Sequence, residues 1–110
     1  MNAVDLFCGA GGFSAGLEAA GINVVYGVDI ADHALATFEA NHAATAITHD
    51  LSDGLPAELH DQDVDIVFGS PPCQGFSDAR GERSLDDERN QLVFSFIQAV
   101  EQLQPRYVLM

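Results

Sequence analysis

Short runs of β-branched and apolar residues alternate with helical stripes along this chain, and this alternation restricts the fold more than any other feature of the sequence. Ala3 to Leu6 is predicted to be a buried strand, and the residues from Phe13 to Ala20 place apolar side chains on one helical face. Gly21 is predicted to end that helix, and Asn23 to Val28 to form a second strand. A strand, a helix and a strand in this order indicate a βαβ unit with a parallel sheet.

The same alternation continues towards the carboxyl terminus. Ala31 to Phe38 is a second helical stripe, and further strands are predicted at Thr45 to Ile47 and Val64 to Phe68. After a long irregular segment, Leu92 to Leu103 is predicted to form an amphipathic helix and Arg106 to Met110 to begin another buried strand. The sequence therefore predicts an α/β fold with a doubly wound, mainly parallel sheet.

The length of 110 residues corresponds to one domain at most. A hydrophobic fraction of 47% is enough to build a core, and we expect Phe38, Phe94 and Phe96 to lie in or near it. The predicted sheet stops at about its fifth strand, with no helix to cover that edge. We therefore expect residues 1–110 to be the N-terminal part of a longer domain.

The charge of the chain is strongly negative. Four Lys and Arg residues, all of them Arg, face 17 Asp and Glu residues, so the formal net charge is −13. Simple electrostatics makes such a surface repel nucleic acid. An acidic surface without lysine also indicates a halophilic protein, because concentrated salt shortens the Debye length to ~3 Å at 1 M.

Several classes of protein are disfavoured by the composition. No stretch approaches the ~20 apolar residues of a membrane helix, and no basic segment precedes Asp5. Cys8 and Cys73 form no CxxC pair, and the four histidines have no ligand spacing, so we expect no metal site. These features predict a cytoplasmic protein without a membrane partner. Cys8 has no activating neighbour. Two interpretations of it remain open: a small buried hydrophobe, or a residue with a role in the turn that contains it.

A glycine-rich turn from Cys8 to Gly12 links the first strand to the first helix. Glycines let the backbone turn sharply and let a ligand approach the helix N-terminus. Asp29 follows at the end of the second strand, where a ribose needs an acceptor for its hydroxyls. The spacing is not GxGxxG and no basic residue lies nearby, so the pattern favours an adenosyl ligand without phosphates. A tight turn without a ligand is the alternative.

A second candidate segment, Gly69 to Ser77, directly follows the fourth strand. Because the carboxyl ends of parallel strands face the ligand crevice, Cys73 is predicted to lie beside the pocket. Pro71 and Pro72 restrict the backbone before it. A thiolate held in this way can add to an electron-poor ring, whereas an isolated cysteine is otherwise a small buried hydrophobe.

These two segments resemble the motifs of the C5-cytosine DNA methyltransferases. Asp5-Leu6-Phe7-x-Gly9-x-Gly11-Gly12-Phe13 is similar to the cofactor motif of that family, and Pro72-Cys73-Gln74-x-Phe76-Ser77 to its catalytic motif. The resemblance covers the whole chain. It implies a Rossmann-like methyltransferase fold, S-adenosyl-L-methionine as methyl donor and cytosine in duplex DNA as acceptor.

The resemblance also implies roles for individual residues at the cofactor. Phe7 would stack on the adenine, Asp29 would bind the ribose hydroxyls and Asp50 would accept from the adenine amino group. The glycine turn would pass under the methionine end. The full set of implied cofactor positions is Phe7, Gly9, Gly11, Gly12, Asp29, Asp50, Leu51 and Pro72.

On the DNA side, the resemblance implies that Cys73 is the nucleophile that attacks C6 of a cytosine flipped out of the helix. Gln74, Ser77 and Arg80 would contact DNA. Arg80 is the candidate for a phosphate contact, and pairing with the acidic residues around it in the sequence is the alternative. In the family, Glu-Asn-Val would follow Met110, and that Glu holds N3 of the cytosine. We therefore expect residues 1–110 alone not to methylate DNA.

The leading hypothesis is thus a DNA (cytosine-5-)-methyltransferase of a restriction-modification system, with a possible cognate endonuclease. One alternative is a tRNA cytosine-C5 methyltransferase of the same family, because the acidic surface does not distinguish DNA from RNA. The other alternative is a cofactor-binding regulatory module without activity. The presence of Cys73 counts against that module.

Overall fold

A computed structural model describes residues 1–72 and 90–110 of the chain. Within these ranges the chain forms five strands, three α-helices and two single-turn 3-10 helices. The 3-10 helices are Leu51–Asp53 and Ala57–Leu59. The other elements, in chain order, are β1 (Asn2–Leu6), α1 (Gly12–Ala19), β2 (Asn23–Asp29), α2 (Asp32–Asn41), β3 (Thr45–Thr48), β4 (Ile66–Gly69), α3 (Gln91–Leu103) and β5 (Tyr107–Leu109).

The strands form one sheet in the order β3-β2-β1-β4-β5, and every neighbouring pair is parallel. The chain builds outwards from β1 to β3 and then returns to the other side of β1, so the direction of winding reverses beside β1. Leu6 pairs with Val28 on one side and with Gly69 on the other, which brings the carboxyl ends of the inner strands to one edge. The predicted doubly wound parallel sheet is confirmed. Ligands bind outside the carboxyl edge of such sheets, at this reversal.

Both faces of the sheet are covered. Successive side chains of a strand point to opposite faces, so β1 can contribute to a buried cluster on each side. Val4 and Leu6 pack in one buried cluster together with Phe96 of α3. Ala3 packs in the other cluster with Phe38 of α2, which is fully buried. The core therefore consists of two layers, and β1 contributes to both.

The prediction that Gly21 ends α1 is confirmed in detail. Gly21 has a φ of +86°, and its N–H donates to the Glu18 carbonyl at 2.9 Å. The next N–H, of Ile22, donates to the Leu17 carbonyl at 3.1 Å. This pair of bonds is the Schellman arrangement, which favours glycine because the left-handed conformation is costly for residues with a Cβ.

Two predictions about burial are wrong. Phe94 is 45% exposed although Phe96 is 2% exposed, because two residues on a helix are separated by about 200° around its axis. The strand predicted from Arg106 exists as β5, but each of its three residues is at least 44% exposed. β5 is the outermost of the described strands and pairs with β4 alone. It is an exposed edge strand and not a buried one.

Candidate functional site

A crevice of about 480 Å³ lies at the carboxyl edge of the sheet, within the usual size range of small-molecule sites. Its walls come from the residues that follow β1, β2, β3 and β4 and from the start of α3. This is the place that the topology favours for a ligand. The lining residues are Phe7, Asp29, Ile30, His49, Asp50, Leu51, Ser52, Ser70, Pro72, Gln91 and Leu92.

Phe7 enters the crevice through an unusual backbone conformation. Its φ is +59°, in the left-handed region that aromatic residues rarely adopt. The residue is half-buried, and its ring forms part of the crevice wall. Strained backbone of this kind costs about 1–3 kcal/mol and is concentrated at ligand sites. The turn therefore holds the aromatic ring at the crevice at a cost in stability.

The glycine turn is held at both ends by backbone hydrogen bonds. The N–H of Cys8 donates to the Val28 carbonyl at 3.0 Å, which extends the pairing of β1 with β2 past the end of β1. The N–H of Gly11 donates to the Cys8 carbonyl at 3.0 Å. Gly11 has a φ of +97°, and a Cβ at this position would collide with the imidazole of His42 and lie 2.8 Å from the Phe38 ring. Only glycine satisfies both conditions.

Asp29 connects the turn to the end of β2. Its Oδ2 accepts from the Gly9 N–H at 2.8 Å, and its Oδ1 accepts from the Ala31 N–H at 3.0 Å. A carboxylate oxygen can accept two hydrogen bonds. Each oxygen therefore keeps one acceptor position for a hydroxyl in the crevice, while the backbone holds the carboxylate in place.

Asp50, which follows the neighbouring strand β3, supplies a second acceptor to the crevice. Its Oδ1 accepts from the N–H and from the hydroxyl of Ser52, at 3.0 Å and 2.6 Å. These two hydrogen bonds hold the pKa of the Asp50 carboxyl below its ordinary value. Leu51, beside it, is buried and supports the wall from the core. Asp50 is thus an ionised acceptor at neutral pH.

A buried carboxyl lies below the turn. Asp5 is 1% exposed, and its Oδ2 accepts from the Ser14 hydroxyl at 2.6 Å. Desolvation by burial raises the pKa of Asp5 to about 7, the Ser14 hydrogen bond and His42 lower it, and Asp29 raises it. Asp5 therefore changes charge near neutral pH.

Cys8 is also buried, with 7% of its surface exposed. Burial, together with Asp5 and Asp29, raises the pKa of the Cys8 thiol to about 12. The thiol is therefore protonated at neutral pH and is not a nucleophile. Of the two interpretations of Cys8, the small buried hydrophobe is confirmed.

The structure brings together Phe7, Asp29, Asp50, Leu51 and Pro72 around the crevice. Gly9 joins them through its hydrogen bond to Asp29. Gly11 and Gly12 do not line the crevice: Gly11 faces α2 behind the turn, and Gly12 begins α1 on the surface. The remaining predicted site residues lie outside the described residues, and these are Cys73, Gln74, Ser77 and Arg80.

Sequence reasoning missed about half of the lining. Three of the missed residues lie at the edge where a parallel strand ends, and these are Ile30, His49 and Ser70. Their position next to a predicted strand end could have indicated that they line the crevice. Gln91 and Leu92 begin α3, and no local pattern in the sequence indicated that this helix starts at the crevice. The Ser14–Asp5 pair was also missed, because the packing of α1 against β1, which brings the two side chains together, is not recorded in the local sequence.

The lining is chemically suited to a nucleoside. Phe7 and Leu92 offer apolar surface to a base, and Asp29 and Asp50 offer acceptors for hydroxyl and amino groups. Among the described lining residues there is no Lys or Arg, which a phosphate would require. These apolar surfaces and acceptors therefore fit the adenosyl group expected from the sequence.

Residues 1–72 and 90–110 lack two further features, a metal-binding cluster and a membrane-spanning helix. No three His, Cys, Asp or Glu side chains come together there in a way that could hold a metal ion. None of the helices in these ranges has the length and hydrophobicity required to cross a membrane.

The parallel sheet with its crevice at the carboxyl edge is the Rossmann-like fold of the S-adenosylmethionine-dependent methyltransferases. The crystal structure of a protein encoded in an E. coli prophage, assigned as a DNA modification methyltransferase, superimposes with a TM-score of 0.77 at 39% identity. That match covers 96% of this chain and 30% of the prophage protein. The fold class predicted from the sequence is thus confirmed.

The model of the C-5 cytosine-specific DNA methylase family matches residues 1–110. The type II methyltransferase M.AgeI of Thalassovita gelatinovora is 40% identical over 99% of this chain, which spans 27% of that relative. M.HgiGI of Herpetosiphon aurantiacus is 34% identical over the whole chain, which spans 88% of its length. The chain belongs to the C-5 cytosine-specific DNA methylase family, as its motifs predict. It spans about a third or less of the length of most of the curated relatives that it matches.

Proposed function

We propose that the whole protein transfers a methyl group from S-adenosyl-L-methionine to C5 of cytosine in duplex DNA. The match of the family model along the entire chain is the observation that carries this proposal. The crevice supports it, because its size suits an adenosyl group and its lining combines apolar side chains with carboxylate acceptors. When bound, S-adenosyl-L-methionine supplies its methyl group as an electrophile and leaves as a neutral thioether.

The described residues divide the binding of the cofactor among them. The Phe7 ring stacks on the adenine, the free acceptor positions of Asp29 bind the ribose hydroxyls, and Asp50 accepts from the adenine amino group. Leu51 and Pro72 close the wall around the base, and the turn formed by Gly9, Gly11 and Gly12 passes beneath the methionine end. Support comes from the hydrogen bonds that hold both carboxylates in place before a ligand arrives.

Cys73 is the nucleophile of the proposed reaction. Its thiolate forms a bond to C6 of a cytosine flipped out of the duplex, and the C5–C6 electron pair moves to C5, which becomes nucleophilic towards the methyl group. After methylation C5 gives its proton to water, the electron pair returns to the C5–C6 bond, and the Cys73 thiolate leaves. Support for this role is the position of Cys73 directly after Pro72, a residue of the crevice wall.

The proposed contacts to DNA come from the segment after Cys73, with Gln74 and Ser77 near the base and Arg80 at a phosphate. Both curated relatives named above are type II methyltransferases. On that basis we further propose that the protein acts in the cytoplasm as part of a restriction-modification system with a cognate endonuclease.

The experiment that tests the function traps the covalent intermediate. The full-length protein is incubated with S-adenosyl-L-methionine and duplex DNA that carries 5-fluorocytosine, and intact mass is measured. Fluorine cannot leave C5 as a cation, so an adduct of protein and methylated DNA accumulates. Cys73→Ser abolishes the adduct, and residues 1–110 alone yield no methylated DNA.

The other cysteine is the matched control. Cys8→Ala removes a thiol that packs in the core, and the adduct is expected to persist in this variant. An adduct that survives in Cys73→Ser would contradict the assignment of the nucleophile. An adduct with substituted tRNA but not with DNA would support the tRNA alternative. No adduct with either substrate would support the inactive module.

A further inference from the structure

The mechanism proposed above gives no role to Asp5, the buried carboxyl below the glycine turn. Asp5 lies near the end of β1, and Ser14 lies in the first turn of α1. Their 2.6 Å hydrogen bond joins the two elements and so closes the base of the loop formed by residues 7–13. The Asp5 carboxyl therefore lies at the base of this turn, between β1 and α1.

One oxygen of this carboxyl has no partner. Oδ2 accepts from Ser14, whereas Oδ1 is buried and meets no hydrogen-bond partner in residues 1–72 and 90–110. A buried acceptor without a partner is unfavourable, and more so if it is charged. Asp5 therefore pays an energetic penalty for ionisation.

Three elements packed around Asp5 carry the charged groups that act on it. Asp29 at the end of β2 opposes its ionisation, and His42, which follows α2, favours it when protonated. Glu18 of α1 accepts from His42 Nδ1 at 2.7 Å and is not among the groups that shift the pKa of Asp5. The Cys8 thiol is uncharged at neutral pH, as its raised pKa shows. The described surroundings supply no permanent positive charge.

A positive charge on the turn would change this balance. An opposite charge nearby favours the ionised form of a carboxyl, and the interaction is stronger in the interior than in water. The methyl donor carries a positive sulfonium at the methionine end, which the proposed function places on the glycine turn. The thioether left after transfer lacks that charge and is otherwise almost identical.

We propose that Asp5 is a specificity-determining residue whose negative charge makes the site prefer the sulfonium cofactor over its neutral thioether product. This inference rests on the proposed function, because it needs the methionine end on the turn. Asp5 releases its proton to solvent when the sulfonium binds and takes one back when the thioether replaces it. Near neutral pH, where the pKa of Asp5 lies, the exchange of product for fresh cofactor is therefore linked to protons, and alkaline pH favours the cofactor.

The test compares the binding of the two compounds. The dissociation constants of S-adenosyl-L-methionine and S-adenosyl-L-homocysteine for the full-length protein are measured by calorimetry between about pH 5.5 and about pH 8.5. We expect the preference for the sulfonium compound to rise about tenfold across this range, the change that corresponds to one unit in the pKa of Asp5. In Asp5→Asn, which is permanently neutral, this rise disappears. The titration of the ligands and of the other pocket residues is shared by both proteins and cancels in the comparison.

Two further variants complete the test. Asp61→Asn removes an equal charge from an exposed position away from the crevice and leaves the tenfold rise unchanged. Ser14→Ala keeps the Asp5 carboxyl but removes the hydrogen bond that stabilises its ionised form, so the rise moves to higher pH. This shift keeps the inference testable if Asp5→Asn fails to fold.

The outcomes separate this inference from the proposed function. If both compounds bind and their ratio does not change with pH, or changes equally in Asp5→Asn, the inference is overturned and the proposed function stands. If neither compound binds at any pH, the proposed function is overturned, and this inference with it.

Discussion

Gly11 is the position at which the glycine turn packs against α2 and the residue that follows it. Its φ of +97° places it in the left-handed region, and the space of its missing side chain is occupied by Phe38 and His42. These two rings stack with centroids 4.7 Å apart, and Glu18 holds the imidazole from the other side. The turn is thus supported at its back by Phe38 of α2 and by His42.

Gly11→Ala is therefore expected to destabilise the protein by about 1–3 kcal/mol, because the new methyl group adds a steric clash to a strained φ. The matched control is Gly12→Ala, one residue later, where a Cβ meets nothing within 4 Å and the residue begins a helix. That change is expected to be neutral or slightly stabilising. Urea denaturation of the two variants measures the difference, and equal losses would contradict the role given to Gly11.

At the scale of residues, the sequence predicts chemistry better than conformation. Asp29 and Asp50 could be assigned to the crevice because each follows a strand, and the structure places both there. The left-handed conformation of Phe7 and the hydrogen bond between Asp5 and Ser14 could not be predicted. Both result from the packing of β1 against α1 and β2, which no local pattern records.

Helix α3 shows the same limit at the scale of elements. Its apolar periodicity predicts its position within about one residue, but not which apolar side chains meet the sheet. Phe96 lies in the core cluster with Val4 and Leu6, whereas Phe94 is on the outer side. β5 was predicted at the right place from the apolar run that follows Pro105. Its exposure depends on neighbours that a local pattern does not contain.

The two phenylalanines of α3 offer an internal comparison. Phe96→Ala is expected to cost about 3–5 kcal/mol, because it removes a buried ring and leaves a cavity between α3 and β1. Phe94→Ala changes the same residue type on the same helix, and its cost should stay within about 0.5 kcal/mol. Thermal or chemical unfolding distinguishes them. Similar losses in both variants would mean that α3 is rotated about its axis relative to this structure.

At the scale of the whole molecule, the net charge of −13 dominates. Self-repulsion of surface carboxylates destabilises the compact state. Salt weakens this repulsion, because the Debye length falls from ~10 Å at 0.1 M to ~3 Å at 1 M. We expect the melting temperature of the protein to rise between about 0.1 M and about 1 M KCl. The control is the same titration with sucrose, which does not screen charge. A protein that is equally stable at low ionic strength would refute the halophilic interpretation.

The parallel order of the sheet also has a consequence for biosynthesis. β1 is made first, yet its two neighbours are β2 and β4, and Ala3 pairs with Ile66 about sixty residues later. At about 5–20 residues per second, the ribosome needs about 3–12 s to synthesise that interval. During this time the central strand has its partner on one side only. The crevice is lined by residues after β4 and at the start of α3, so the site forms only after most of this chain has been synthesised.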